Sequence, residues 1–144
     1  MDIGRGIGER AYVRSITYLI RTTTRVHFMK RLGFREARTR LRQALAVAAI
    51  SFEGGDAREG KNLLQTGDVD REFVIQLLDR CQGGPDAFGA TPHHYDRGTW
   101  VYVFKPRMQG IQWYVKAYFL VEDPSHPDFG AVVISVHTAG SKVG

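Results

Sequence analysis

The sequence predicts an α+β fold: an antiparallel sheet with a C-terminal three-stranded meander, packed against two or more helices. Three observations carry this. Two segments ahead of Cys81 repeat apolar residues at the three- and four-residue spacing of a helix buried along one side. From Thr99 onward the period changes to β-branched and aromatic runs separated by turn signals. Helices grouped before strands, without alternation, belong together on one face of a sheet.

In chain order, residues 1–15 intersperse Gly4, Gly6 and Gly8 with charges and read as irregular. Ile16 to Met29 is rich in β-branched and aromatic residues, which suits a strand or hairpin and equally a helix. From Gly33 to Ile50, Phe34, Ala37, Leu41, Leu45 and Ala48 form one apolar stripe, the pattern of an amphipathic helix. Arg31, Arg35, Arg38 and Arg42 recur at the same spacing and share a flank. Ser51 to Gly60, with Gly54-Gly55-Asp56, reads as a loop. A second helix starts after Asp68 or Asp70, either of which can accept from the free N–H groups of a first turn. Phe73, Val74, Leu77, Leu78 and Cys81 line its inner side, and Gly83-Gly84-Pro85-Asp86 stops it. Thr99–Lys105 and Ile111–Val121 make a hairpin about the turn Arg107-Met108-Gln109-Gly110. After a loop from Glu122 to Gly130, Ala131–Thr138 returns antiparallel.

With 144 residues, 43% hydrophobic and 11% aromatic, the chain has bulk for one domain, residues 1–144, and too much for disorder. No run approaches the roughly 20 apolar residues of a membrane helix. Charges occupy the N-terminal stretch where a leader would be apolar, and the lone Cys81 makes no internal disulfide. A cytoplasmic protein without a membrane partner is the expectation. The formal charge of +5 hides an asymmetry: residues 1–43 hold eleven of the twenty Lys and Arg but three of the fifteen Asp and Glu. A basic helical or irregular extension over residues 1–50 is a footprint for a polyanion, either RNA or another nucleic acid, or an acidic partner protein.

Alternation in the longest strand puts Ile111, Trp113, Val115, Ala117 and Phe119 on a core face and Gln112, Tyr114, Lys116 and Tyr118 on the other. The hairpin brings Lys105 and Arg107 beside that second face. Cations neutralise phosphate and aromatic rings stack on unpaired bases, so the face suits single-stranded RNA. Cleaving RNA without a metal needs a base for the 2′-hydroxyl, cations for the charge on phosphorus and an acid for the departing 5′-oxygen. Lys116 and Arg107 suit the phosphate, Tyr114 orientation or proton transfer, and His93, His94 or His137 the acid and base work. The histidines lack the paired spacing of a metal site, so no metal or other cofactor is expected.

The run Trp100-Val101-Tyr102-Val103-Phe104-Lys105-Pro106-Arg107, followed by Gln112-Trp113-Tyr114-Val115-Lys116, resembles the C-terminal sheet of the motility quorum-sensing regulator toxins of toxin-antitoxin systems. Tyr95-Asp96 and the strand Ala131 to Val136 sit in compatible places, and the resemblance extends from about Val69 to His137. It implies a RelE-like fold with a toxin-like body over residues 69–138, metal-independent hydrolysis of messenger RNA, and silencing by a bound antitoxin. Two positions depart from the family pattern: Val101 stands where the family carries glutamine, and the glycine-rich loop near Gly89 has no lysine.

Two functions are therefore expected in competition. One is a toxin-like endoribonuclease with Tyr114, Lys116, Arg107, His94 and His137 at its centre and Lys105, Gln112, Tyr118, Arg31, Arg35, Arg38 and Arg42 holding RNA. The other is a non-catalytic basic module binding nucleic acid or an acidic protein.

Overall fold

The apolar stripe starts helix α1 at Phe34 and carries it to Ala46, with Ala37, Leu41, Ala44 and Leu45 buried. The computed structural model describes residues 29–53 and 61–140. The expectations for residues 1–28, and for the loop over 54–60, lie outside the described residues. The helix ends two residues before Ala48, shorter than its stripe. The Ala48 N–H donates to the Leu45 carbonyl at 3.2 Å and the Ala49 N–H to the Ala44 carbonyl at 2.8 Å, the paired bonds of a Schellman motif. The left-handed residue this closure needs is Ala48, with φ 61°. Glycine is the usual occupant, so an alanine gives no stop signal in the sequence.

Strand β1, Ile50–Phe52, follows where the sequence reads as a loop from Ser51. Three residues are too short to show a period, and pairing with the last strand makes them a strand. Helix α2, Leu63–Thr66, is equally short; the Asn62 side chain caps it by accepting from the Gln65 N–H. Helix α3, Arg71–Asp79, resolves the choice of cap: Asp70 accepts from the Phe73 N–H at 2.9 Å. Asp68 instead accepts from the Thr66 hydroxyl. Val74, Leu77 and Leu78 of α3 are buried as expected, and so is Cys81 just beyond it.

The remaining strands are β2 (Phe88–Pro92), β3 (Trp100–Phe104), β4 (Arg107–Met108), β5 (Ile111–Val121) and β6 (Gly130–Thr138). The predicted meander is present as the antiparallel neighbours β3, β5 and β6. An antiparallel-only sheet is not: six strands form a mixed sheet of order β1-β6-β5-β3-β2, with β4 on β5 and β1 parallel to β6. Strand β2, Phe-Gly-Ala-Thr-Pro, carries little β propensity and lies at the edge, where its proline removes no ladder bond. The expected four-residue turn is a two-residue one. Arg107 and Met108 pair with Gln112 and Ile111, leaving Gln109 (φ 55°) and Gly110 (φ 79°) in the positive-φ geometry of a type I′ hairpin.

Helices α1 and α3 cover one face of the sheet. Tyr102 and Phe104 of β3, Val115, Ala117 and Phe119 of β5, and Ala131, Val133 and Val136 of β6 meet the helical leucines in one core. Trp113 packs edge-on against Phe73 of α3 at 5.1 Å. Ile111, expected in the core, lies at the hairpin end and is 50% exposed. The chain ahead of α1 is tied to the sheet by the Leu32 N–H, which donates to the Tyr102 hydroxyl at 2.8 Å. Burial pushes that phenol's pKa up.

Between β5 and β6 the register shifts: Lys116 pairs with Ser135 but Ala117 with Val133, which leaves Ile134 as a bulge. Asn62, 0% exposed, donates from Nδ2 to the Val133 and Ile134 carbonyls at 3.0 and 3.2 Å. One side chain thus caps α2 and satisfies the carbonyls at the bulge.

Candidate active site

The helices leave the other face of the sheet to different residues. Its register is set by three cross-strand rows: Tyr114 opposite His137, Lys116 between Val103 and Ser135, and Tyr118 between Val101 and Val132. At the hairpin end the Lys105 Nζ lies 5.9 Å from the centre of the Tyr114 ring. Arg107 pairs with Gln112 in β4–β5, and its guanidinium donates to the Gly110 carbonyl at 3.0 Å. Tyr114 and His137 are ring neighbours, 5.4 Å between centroids. Lys105, Arg107, Gln112, Tyr114, Lys116 and His137 thus gather at one end of one face, although they come from three strands and one inter-strand step.

The His137 Nδ1 lies 3.0 Å from the Thr138 carbonyl oxygen. A carbonyl only accepts, so this contact puts the ring proton on Nδ1 and leaves Nε2 as the basic nitrogen. The arrangement can hold an anion between ammonium groups and take a proton from a hydroxyl beside Tyr114.

His94 does not join this group. It sits past the end of β2, with its ring centroid 4.2 Å from that of Tyr95 and 5.3 Å from that of His93. Its neighbour His93 meets Tyr118 edge-on at 4.8 Å. Four residues of β5 separate Tyr118 from Tyr114, about 13 Å of strand. His93 is 8% exposed and its ring is fully engaged. The backbone N–H groups of Tyr95 and Asp96 donate to its Nδ1 at 3.1 and 3.3 Å, which leaves Nε2 to donate to Glu53 Oε2 at 3.1 Å. Glu53 follows β1 and His93 follows β2, the two outer strands. In a flat sheet those strands stand about 19 Å apart, beyond the reach of these side chains. The residues after these two strands, Glu53 and His93, nevertheless meet.

Arg31, ahead of α1, and the arginines of α1 lie elsewhere. Arg31 stands 5.5 Å over Trp100, and Arg38 stands 4.7 Å over Phe34 and donates to the Cys81 carbonyl. Arg42 pairs with Asp79 of α3 at 2.7 Å, and Arg35 is exposed. The helix packs on the core face, and so does Trp100 beneath Arg31, so these four do not join Lys105, Tyr114 and Lys116 on one face.

Sequence reasoning missed Glu53 and Tyr95. Glu53 is brought to His93 only by the sheet's topology, but Tyr95 had a signal: an aromatic flanked by histidines and turn formers in a loop. Cys81 is buried, burial pushes its thiol up, and nothing reactive is gained from it. Among the described residues no three His, Cys, Asp or Glu side chains gather as metal ligands would, and no helix is long and apolar enough to cross a membrane.

Comparison of the chain with family models, curated proteins and solved structures finds no match.

Proposed function

We propose that this protein is a metal-independent endoribonuclease of the toxin type, acting in the cytoplasm on single-stranded messenger RNA at the hairpin end of the sheet face opposite the helices. The observation that carries the reading is the pairing of Tyr114 with His137, 5.4 Å between rings, under the Lys105 ammonium and one row from Lys116. In the reaction, His137 Nε2 takes the 2′-hydroxyl proton as the 2′-oxygen attacks phosphorus. Lys116 and Lys105 stabilise the charge on the phosphoryl oxygens, and Arg107 supplies further positive charge at the hairpin. The bond to the 5′-oxygen breaks, Tyr114 gives that oxygen a proton, and a 2′,3′-cyclic phosphate remains.

The α+β layering, with the described helices on one face of the sheet, supports a RelE-like reading, and with it a protein antitoxin of acidic character as partner. Val101, at the family's glutamine position, is 8% exposed and apolar, so the chemistry falls to the other residues. Incubation of the purified protein with a single-stranded RNA in EDTA tests this. Cleavage by the native protein, reduced at least tenfold in Lys116→Met, about 1.4 kcal/mol of transition-state stabilisation, is the expected result. Absence of cleavage with retained RNA binding would leave the non-catalytic binding module in its place.

A further inference from the structure

Strands β2 and β3 are joined by a loop that spends many hydrogen bonds to hold one aromatic ring in water. The His93 N–H donates to the Thr99 carbonyl at 2.8 Å, and the Thr99 N–H to the Asp96 carbonyl at 2.9 Å. The Asp96 carboxylate accepts from the Gly98 N–H and the Thr99 hydroxyl at 3.1 and 3.0 Å. From below, the buried His93 accepts the Tyr95 and Asp96 N–H groups. On this braced loop Tyr95 is 87% exposed, with the exposed His94 ring 4.2 Å away and the exposed Arg97 two residues on.

A braced loop that exposes a tyrosine gains nothing for the core. What it offers is a preorganised exposed ring with an exposed arginine in the same loop, the combination that takes an unpaired base and its phosphate at low ordering cost. We propose that Tyr95, with His94 and Arg97, is an anchoring subsite for a nucleobase of single-stranded RNA, separate from the Tyr114–His137 centre. The proposal rests on the RNA reading of the face opposite the helices and deepens it. His93 carries the link between the two: it braces the Tyr95 loop and touches Tyr118, in the strand that bears Tyr114 and Lys116. With about 13 Å of β5 between Tyr118 and Tyr114, the anchored base lies a few nucleotides from the cleaved bond. The anchor then serves oligonucleotides and leaves a dinucleotide unaffected.

The test uses the full chain, a fluorescein-labelled single-stranded RNA of twelve nucleotides for anisotropy, and a cleavage assay on that RNA and on a dinucleotide. Binding is read in the Lys116→Met background so that the probe stays intact. Adding Tyr95→Ala is expected to weaken binding about tenfold, while Tyr95→Phe stays within about twofold of the parent. In the otherwise native chain Tyr95→Ala should raise KM for the twelve-mer with kcat little changed, and leave dinucleotide cleavage as it was. Binding that is absent, or unchanged by Tyr95→Ala, overturns the anchor even if cleavage is found. Tyr95-dependent binding without any cleavage sustains the anchor and overturns the ribonuclease reading alone.

Discussion

Tyr114 and His137 face each other across β5 and β6 with ring centroids 5.4 Å apart and planes inclined by 36°. Neither residue has a role in the core, which lies on the opposite face of the same strands. A phenol, an imidazole whose Nε2 is left basic by the Thr138 carbonyl, and two nearby lysines are the parts a metal-free phosphoryl transfer requires.

Asn62 is expected to be among the most sensitive polar positions outside that face. Asn62→Ala removes the α2 cap and leaves the Val133 and Ile134 carbonyls without their buried donor, a loss of about 2–4 kcal/mol measurable as a lower urea midpoint. Asn62→Asp keeps the cap acceptor but loses both donors, and should be at least as damaging. A stable Asn62→Asp protein would show that the cap alone matters and that the bulge needs no donor.

Ala48 offers the opposite sign. Its φ of 61° is costly for any residue with a Cβ. Ala48→Gly should relieve that strain and raise stability by about 0.5–1 kcal/mol after the added unfolded-state entropy, read as an increased Tm. A lower Tm would mean that α1 does not end in the Schellman geometry.

Tyr102 ties stability to alkaline pH. Burial raises its folded-state pKa, so the folded protein keeps a phenol proton that the unfolded chain gives up first. The stabilisation is intact below the ordinary tyrosine value of about 10 and is lost as pH rises through it toward the folded-state value. Tyr102→Phe should cost about 1–2 kcal/mol at neutral pH, because the Leu32 N–H loses its acceptor, and should flatten the decline above about pH 10. An unchanged alkaline profile in Tyr102→Phe would assign that decline to another group.

The long elements were legible in the sequence for plain reasons: α1, α3 and β5 carry the period of a buried side, and β3 and β6 are runs of β-branched and aromatic residues. The alternation of β5 alone placed Gln112, Tyr114, Lys116 and Tyr118 on a common face. Elements defined by their partners left no such trace. β1 is a strand because β6 accepts it, α2 is a turn capped by Asn62, and β2 is an edge with glycine and proline in it. The site divides in the same way. Lys105, Arg107, Tyr114, Lys116 and His137 follow from strand period and hairpin geometry. His94 failed to join them because a loop residue's position depends on bonds such as His93–Glu53, which connect residues forty apart. The arginine flank of α1 was readable, but its packing side was decided by the core and sets it away from the Tyr114–His137 face.

The most direct measurement is the identity of the RNA ends made by the native protein and by His137→Ala, with EDTA present throughout. If His137 is the base of an internal transfer, the native protein yields 2′,3′-cyclic phosphate and 5′-hydroxyl ends, and His137→Ala, folded by circular dichroism, loses a factor of about 10²–10⁴ in rate. Full activity in His137→Ala, or cleavage that ceases in EDTA and returns with a divalent cation, would contradict it.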